Sequence, residues 1–572
     1  MQRAIASILI FAAVARAGAQ DTSLVGLWEA KRRYGPDLRG ELVVRGEGST
    51  WRATIASRAA NVSVMRDSVY VDFPEGGTYV GHFARNRTTI RGNWFQPQMM
   101  TTGMRAAMPL ILSPCGSGCF SAYVEPLEDA FTFYLRVTPL TAGKLAAFLR
   151  NPERNQGRFL GVNNIVRSGD AVVLRNARDS AIASGDTAGG MMRFFLRGAT
   201  FDFLRVPADS FSWFYPRGRP SAEYSYARPP IRNDGWRVAT PEEVGMSREK
   251  LTEMVRTLAN ASQDSTNAYR LHGVLIARHG KLILEEYFLG ESADRPHDTR
   301  SASKTLVTVV LGAAMQAGMN VSPDTRVYAT MGLDTPGLDP LKRAMTLRNL
   351  LQMSSGLDCD DSSQEYHPGS ESNITDQDTS ANWLGMVMGL KMIRTPGAKS
   401  VYCSIDPFLA GNVIAQATGR SFFDLAWDLV GEPMQMGRYY LMVDPMGRPY
   451  MGGGARFLAR DFMKMAQLYA NGGTWNGRRI VSEAWVRESG PPKTVIEGAG
   501  KYGYLWWSTD YTYRGQPVQA HHASGNGGQY SLYLPELDLV VATYGGNYAD
   551  RGGFVSTREL IPQWILPAIV GK

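Results

Sequence analysis

Cysteine and histidine are scarce in this chain, with four and seven among 572 residues. Neither type is spaced as a metal-ligand set. Cys115 and Cys119 flank Gly116-Ser117-Gly118, but no second ligand pair follows to complete a zinc site. Long apolar runs are missing too: the stretch from Ala4 to Ala15 is too short to cross a bilayer. Basic runs stop at Lys31-Arg32-Arg33, so the net charge of +8 is diffuse and a nucleic-acid partner is not expected. There is no G-x-S-x-G, H-E-x-x-H, P-loop or dinucleotide fingerprint. Internal repeats and low-complexity tracts are also absent.

What is present reads as a folded chain of at least two domains. The length exceeds what one hydrophobic core supports. Hydrophobic residues at 44% and charged residues at 20% argue against disorder. Arg3, the short apolar stretch and Ala17-Gly18-Ala19 read as an export signal over residues 1–19. A secreted or periplasmic location follows, where disulfides persist, and a local Cys115–Cys119 bridge fits it. Residues 20–230 read as β-structure in one or two subdomains, because short alternating segments such as Val69-Tyr70-Val71-Asp72-Phe73 are separated by turn residues. Such strands close into an antiparallel barrel or sandwich. A structural or docking role is the expectation for this region. A proline-rich connector, Tyr215 to Pro220 and Pro229-Pro230, precedes a region of mixed helices and strands over 235–572.

Ser301-Ala302-Ser303-Lys304 carries the strongest chemical signal. On a helix, positions i and i+3 share a face, so the lysine amine can reach the serine hydroxyl. Serine is a weak nucleophile until a base takes its proton, and lysine is such a base when burial or nearby positive charge lowers its pKa. The apolar run from Thr305 to Gly318 predicts a buried helix behind the motif. Its N-terminus would bring backbone N–H groups to the serine. The spacing also occurs at Ser247-Arg248-Glu249-Lys250, where charged surroundings and helix capping explain the serine. Two further elements follow Ser301 in order. Tyr402-Cys403-Ser404 offers a phenol that can relay a proton. His522-Ala523-Ser524-Gly525-Asn526-Gly527-Gly528-Gln529 offers a glycine-rich strand end that a substrate backbone can approach. Taken singly, each also reads as an ordinary loop. The other histidines read as structural, Trp506-Trp507 as core or pocket wall, and no metal site is expected.

Together these elements resemble the serine β-lactamase and penicillin-binding fold, above all class C β-lactamases and their esterase and amidase relatives, including 6-aminohexanoate-dimer hydrolases. Leu350-Leu351-Gln352-Met353-Ser354-Ser355-Gly356-Leu357 and Tyr504-Leu505-Trp506-Trp507 support the likeness over residues 235–572. The resemblance implies an α+β catalytic domain with an antiparallel sheet packed between helices. It assigns Ser301 as nucleophile and Lys304 with Tyr402 as acid–base pair. Ser404, His522, Ser524, Gly525 and Asn526 become substrate-binding positions, with an oxyanion amide near the strand end. It also brings Cys359 close to Cys403 and predicts a disulfide. No cofactor is implied.

One position departs from the family pattern. Ala523-Ser524-Gly525 stands where β-lactamases carry Lys-Thr-Gly on the edge strand, so the lysine that holds substrate carboxylates is missing. His522 is a poor substitute if neutral. The expected activity is hydrolysis of a small-molecule ester, amide or short peptide through an acyl-enzyme. A non-catalytic penicillin-binding-like sensor and a true β-lactamase are the alternatives. Asp358, Asp360, Asp361, Glu365, Glu371, Asp376 and Asp378 form a span without Lys or Arg. At the mouth of the site it would favour a substrate bearing an ammonium, or else be a solvated loop. The oligomeric state is not legible.

Overall fold

The computed structural model describes residues 22–47, 50–153, 159–262, 270–376, 381–548 and 556–571. The expected export signal lies outside them, as does Asp378. The chain divides into two compact units that do not follow chain order. One joins the chain up to Arg32 with Thr132–Ser212; the other joins Arg33–Phe131 with Trp213–Lys572.

The first unit is a closed antiparallel barrel. Its eight strands are Gly26–Gly35, Asp129–Pro139, Leu145–Arg150, Asn164–Ser168, Ala171–Arg175, Ala181–Ala188, Met191–Leu196 and Ala199–Val206. Closure comes where Leu27 pairs with Val206. Alternate residues of Met191–Leu196 and Ala199–Val206 point inward, as a half-buried strand requires. Phe133, Phe194, Phe201 and Phe203 fill the interior. The Phe133 and Phe201 rings meet edge-on at 4.7 Å.

The second unit begins with another ring of strands. Gly40–Glu47, Thr50–Ile55, Arg58–Met65, Ser68–Asp72, Thr78–Phe83, Ile90–Phe95, Arg105–Gly116 and Cys119–Val124 pair in succession. Cys119–Val124 returns to Gly40–Glu47, so the pairings form a cycle. The Cys115–Cys119 disulfide sits at the hairpin joining the last two. This ring is tied to the C-terminal region. Leu441–Val443 adds to Arg105–Gly116, Arg91 pairs with Asp428 and Glu432, and Phe95 packs edge-on against Phe423.

The C-terminal region is built on a nine-stranded sheet. Its order is Arg237–Val238, Lys281–Tyr287, Leu271–Arg278, Leu539–Gly545, Gln529–Leu534, Gln516–Gly525, Trp507–Tyr513, Gly500–Tyr502 and Thr494–Ile496. All neighbours are antiparallel except the two-residue first strand. Helix Arg248–Ala259 and the C-terminal segment Ser556–Ile565 cover one face through Leu251, Met254, Val255, Leu560 and Ile561. Helix Ala459–Ala470 packs on the strands from the other core, which also holds Thr305–Gln316 and Ile405–Thr418. In Thr305–Gln316 every residue from Thr305 to Ala314 is buried. Each fully buried Leu or Val there contributes about 1.5–3 kcal/mol. The helix therefore fixes the turn in front of it as part of the core. Among the described residues no helix is long and apolar enough to cross a membrane.

Candidate active site

The S-x-x-K element is a 3₁₀ turn, Arg300–Lys304, running directly into the buried helix. Side chains three apart eclipse in a 3₁₀ turn. Lys304 Nζ accordingly lies 2.9 Å from Ser301 Oγ. The ammonium also donates to the Gly452 carbonyl. Lys304 is 2% exposed, whereas Ser301 keeps part of its surface open. Arg300, just before the serine, has φ of 50°, a left-handed conformation rare outside glycine. Its neighbours hold it there. Its N–H donates to Asp298, its carbonyl accepts from Ser303 Oγ, and its guanidinium lies 4.7 Å from the Tyr548 ring centre. Burial opposes ionisation of Asp298, but Arg300 and Arg456 outweigh it and pull the carboxyl down to about 2. Backbone strain of this kind concentrates at functional sites.

Tyr402 stands on the loop before helix Ile405–Thr418. Its ring centre is 5.1 Å from Lys304 Nζ and 5.7 Å from the Trp507 ring. Three links hold the loop: the Cys359–Cys403 disulfide, the Asp361 N–H donating to the Tyr402 carbonyl, and Val401 N–H donating to Met353. The bridge expected between the two motifs is therefore present, and it anchors the phenol opposite the lysine.

The electrostatics of Lys304 differ from the expectation. Burial alone would lower its pKa. Tyr402, Glu371 and Asp361 more than offset burial, and the pKa ends above its ordinary value. Two carboxylates of the acidic span, Asp361 and Glu371, thus act on Lys304 from the loop beside it. In that span Asp361 accepts from the N–H groups of Ser404 and Glu371, and Glu371 accepts from Tyr450 Oη. Asp358 pairs with His367, and Asp360 caps Ser362 and Ser363. These contacts hold the loop in place, and Asp361 and Glu371 also act on the lysine.

A cavity of about 580 Å³ opens over Ser301. Tyr402, His522, Ser524, Gly525 and Asn526 line it with the serine, so most of the sequence-predicted positions converge. Lys304 lies beneath. Ser404 does not line the cavity: it is fully buried at the start of its helix, and its hydroxyl makes no hydrogen bond. Trp507 is pocket wall and Trp506 is core. Ser508, Thr509, Tyr530, Thr557 and Arg558 also contribute, and none of them was singled out from sequence. Among the described residues Arg558 is the one charged side chain in the lining, and no carboxylate joins it. Ser362 brings the acidic span to the cavity, but none of its described carboxylates lines it.

The glycine-rich strand end also needs correction. Gln516–Gly525 is interior, with three strands beyond it. Its pairing with Trp507–Tyr513 stops at His522, however, while its pairing with Gln529–Leu534 continues to Gly525. Ala523, Ser524 and Gly525 consequently have one edge without a partner strand, among the described residues. Gly525 must be glycine here, since a Cβ would come within 2.2 Å of the Thr299 carbonyl and 3.1 Å of the Ala302 nitrogen. That close approach presses the open edge against the turn bearing Ser301. His522 hydrogen-bonds Thr509 Oγ1 at 3.0 Å. Burial, reinforced by His521, pushes its pKa down to about 3, so it is neutral and supplies no cation in place of the missing lysine.

Known proteins place this architecture. The β-lactamase family profile matches residues 256–545, half of the chain. The chain is 24% identical over 295 residues to 6-aminohexanoate-dimer hydrolase of Paenarthrobacter ureafaciens, covering 47% of this chain and 71% of that protein. It is similar in structure to EstCE1, a hydrolase with promiscuous acyltransferase activity, at 19% identity and a TM-score of 0.42, covering 56% of this chain and 99% of that one. It is similar also to a penicillin-binding protein from Bacillus halodurans, at 15% identity and a TM-score of 0.40, covering 51% of this chain and 97% of that one. The chain belongs to the β-lactamase family of hydrolases.

Proposed function

We propose that the protein is a serine hydrolase that cleaves a small ester, amide or short peptide through an acyl-enzyme on Ser301. The observation that carries this reading is the buried Lys304 amine 2.9 Å from Ser301 Oγ, beneath a cavity that Tyr402 also lines. Lys304 and Tyr402 act together as the general base, and the active form is the pair with one proton removed. That pair takes the Ser301 proton as Oγ attacks the substrate carbonyl. It then returns a proton to the departing alcohol or amine. Water then attacks the acyl carbon and gives a proton to the pair; the acyl–Oγ bond breaks, the acid leaves, and the pair returns the proton to Ser301 Oγ. An alcohol or amine in place of water would give transfer. Backbone N–H groups of Ser301 and of the open edge from Ala523 to Asn526 form the oxyanion hole. The chemistry needs no metal or cofactor. The two disulfides support an exported protein acting in the periplasm or outside the cell.

A true β-lactamase is the second reading, because Arg558 offers a cation for a substrate carboxylate. Arg558 is exposed, however, so solvent and salt screen it. His522 is neutral and Ala523 carries no charge. Small neutral esters should therefore be turned over faster than penicillins or cephalosporins. A fluorophosphonate probe followed by peptide mapping tests the nucleophile, with labelling expected at Ser301. An unlabelled Ser301 would favour a non-catalytic binding protein. β-Lactam turnover equal to that of a good ester would favour the second reading.

A further inference from the structure

Apart from His521-His522 the histidines are dispersed in the sequence, but the fold brings His272 and His297 together outside the cavity. His272, in strand Leu271–Arg278, places Nδ1 2.6 Å from Nε2 of His297, in the two-residue strand His297–Asp298. Glu291, on the turn between, completes a group whose ligand atoms all lie within 4.8 Å of one another. Both imidazoles are buried. We infer that His272, His297 and Glu291 form a binding site for one divalent transition-metal ion of the zinc type.

Donor chemistry and orientation support this assignment. Two imidazoles and one carboxylate are a zinc-competent set, with a fourth position left for water. His297 Nδ1 lies 2.9 Å from the Asp298 carbonyl. That bond puts the proton on Nδ1 and turns the Nε2 lone pair toward His272, which is the orienting contact a metal-binding histidine needs. The His297 ring is further clamped by stacking on Tyr544 at 4.3 Å. Without an ion, one proton must lie between the two facing nitrogens. With an ion, His272 carries that proton on Nε2 and offers Nδ1. Zn–N bonds of about 2.0–2.1 Å in tetrahedral geometry separate the nitrogens by roughly 3.3 Å, so the pair opens by roughly 0.7 Å. Arg295, 3.4 Å from Glu291 Oε1, is the competing cation that the ion must displace or tolerate.

The ion would join a central strand of the sheet to the segment that enters the Ser301 turn, since His297 is four residues before the nucleophile. Its expected role is structural. The test is calorimetric titration of chelator-treated, full-length protein with zinc chloride, alongside thermal melts. About one equivalent should bind and raise the melting temperature. Glu291→Gln keeps the shape of the side chain and should weaken binding at least tenfold. His272→Asn should weaken it further, with folding checked by circular dichroism before titration. Absence of a one-equivalent site in the unaltered protein would overturn the assignment and leave a hydrogen-bonded histidine pair. Undiminished binding in folded Glu291→Gln and His272→Asn proteins would also overturn it, by placing the ion elsewhere.

Discussion

Ser247-Arg248-Glu249-Lys250 and Ser301-Ala302-Ser303-Lys304 share one spacing and end in opposite environments. Ser247 caps helix Arg248–Ala259, and its hydroxyl accepts from the Lys250 N–H. The Lys250 ammonium turns away, is exposed, and donates to the Pro567 carbonyl. At the second element the lysine is buried and points back at the serine hydroxyl. Three surroundings make the difference. A buried, mostly apolar helix follows Lys304, a positive-φ residue precedes Ser301, and an open strand edge presses against the turn. Spacing makes the serine–lysine contact available. Burial and neighbours decide whether it forms.

The largest expected effects lie in the second element. Ser301→Ala should abolish turnover while leaving the melting temperature near that of the unaltered protein. Lys304→Ala and Tyr402→Phe should each lower kcat by about two to four orders of magnitude, as for general acid–base groups. The two losses should be strongly non-additive, because the side chains work as a unit. Steady-state kinetics on a chromogenic ester would show it. A double variant whose loss equals the product of the single losses would break the idea of a shared proton.

A smaller effect concerns the charge around the lysine. Glu371 and Asp361 raise the Lys304 pKa against burial. The active form of the pair has lost a proton, so kcat/KM should rise with pH through the pair's apparent pKa. Glu371→Gln removes one raising charge but keeps an acceptor for Tyr450. The pKa should then fall, and the acidic limb of the pH–rate profile should move to lower pH. A limb that stays in place, or moves to higher pH, would show that Glu371 does not act on the pair.

The same contrast shows what could be read from sequence. The buried helix behind Ser301 was legible because apolarity on almost every side over Thr305 to Ala314 has few other uses. Tyr402 and the Cys359–Cys403 bridge were legible through motif order and family likeness. The raised Lys304 pKa was not, since Asp361 and Glu371 reach the lysine only through the loop that Cys359–Cys403 ties down. The open edge at Ala523 to Gly525 depends on where a neighbouring strand stops pairing, and Trp507 shows no sign of that in its own sequence. Arg558 enters the cavity from the far C-terminal segment, a long-range contact with no local pattern. Alternation foretold the strands of the β-rich region. Its split into two closed rings, with Thr132–Ser212 joining the chain before Arg33, rests on pairing partners that alternation leaves open.

The smallest effect belongs to the first element, and it tests the comparison from the other side. Ser247→Ala removes an N-cap, which costs about 1 kcal/mol within a usual range of 0.5–2 kcal/mol. The loss should be near the low end, because the Ser247 N–H keeps its own bond to the Ala568 carbonyl at 2.7 Å. Denaturant unfolding should register the change as a lower midpoint with an unchanged slope, provided the unit unfolds in one step. Ester kinetics should stay within experimental scatter of the unaltered protein, since Lys250 is exposed and its amine is engaged by Pro567. Ser247→Asp should retain the cap and restore the midpoint. A Ser247→Ala protein with normal stability and a clear loss of kcat would reverse the roles of the two elements.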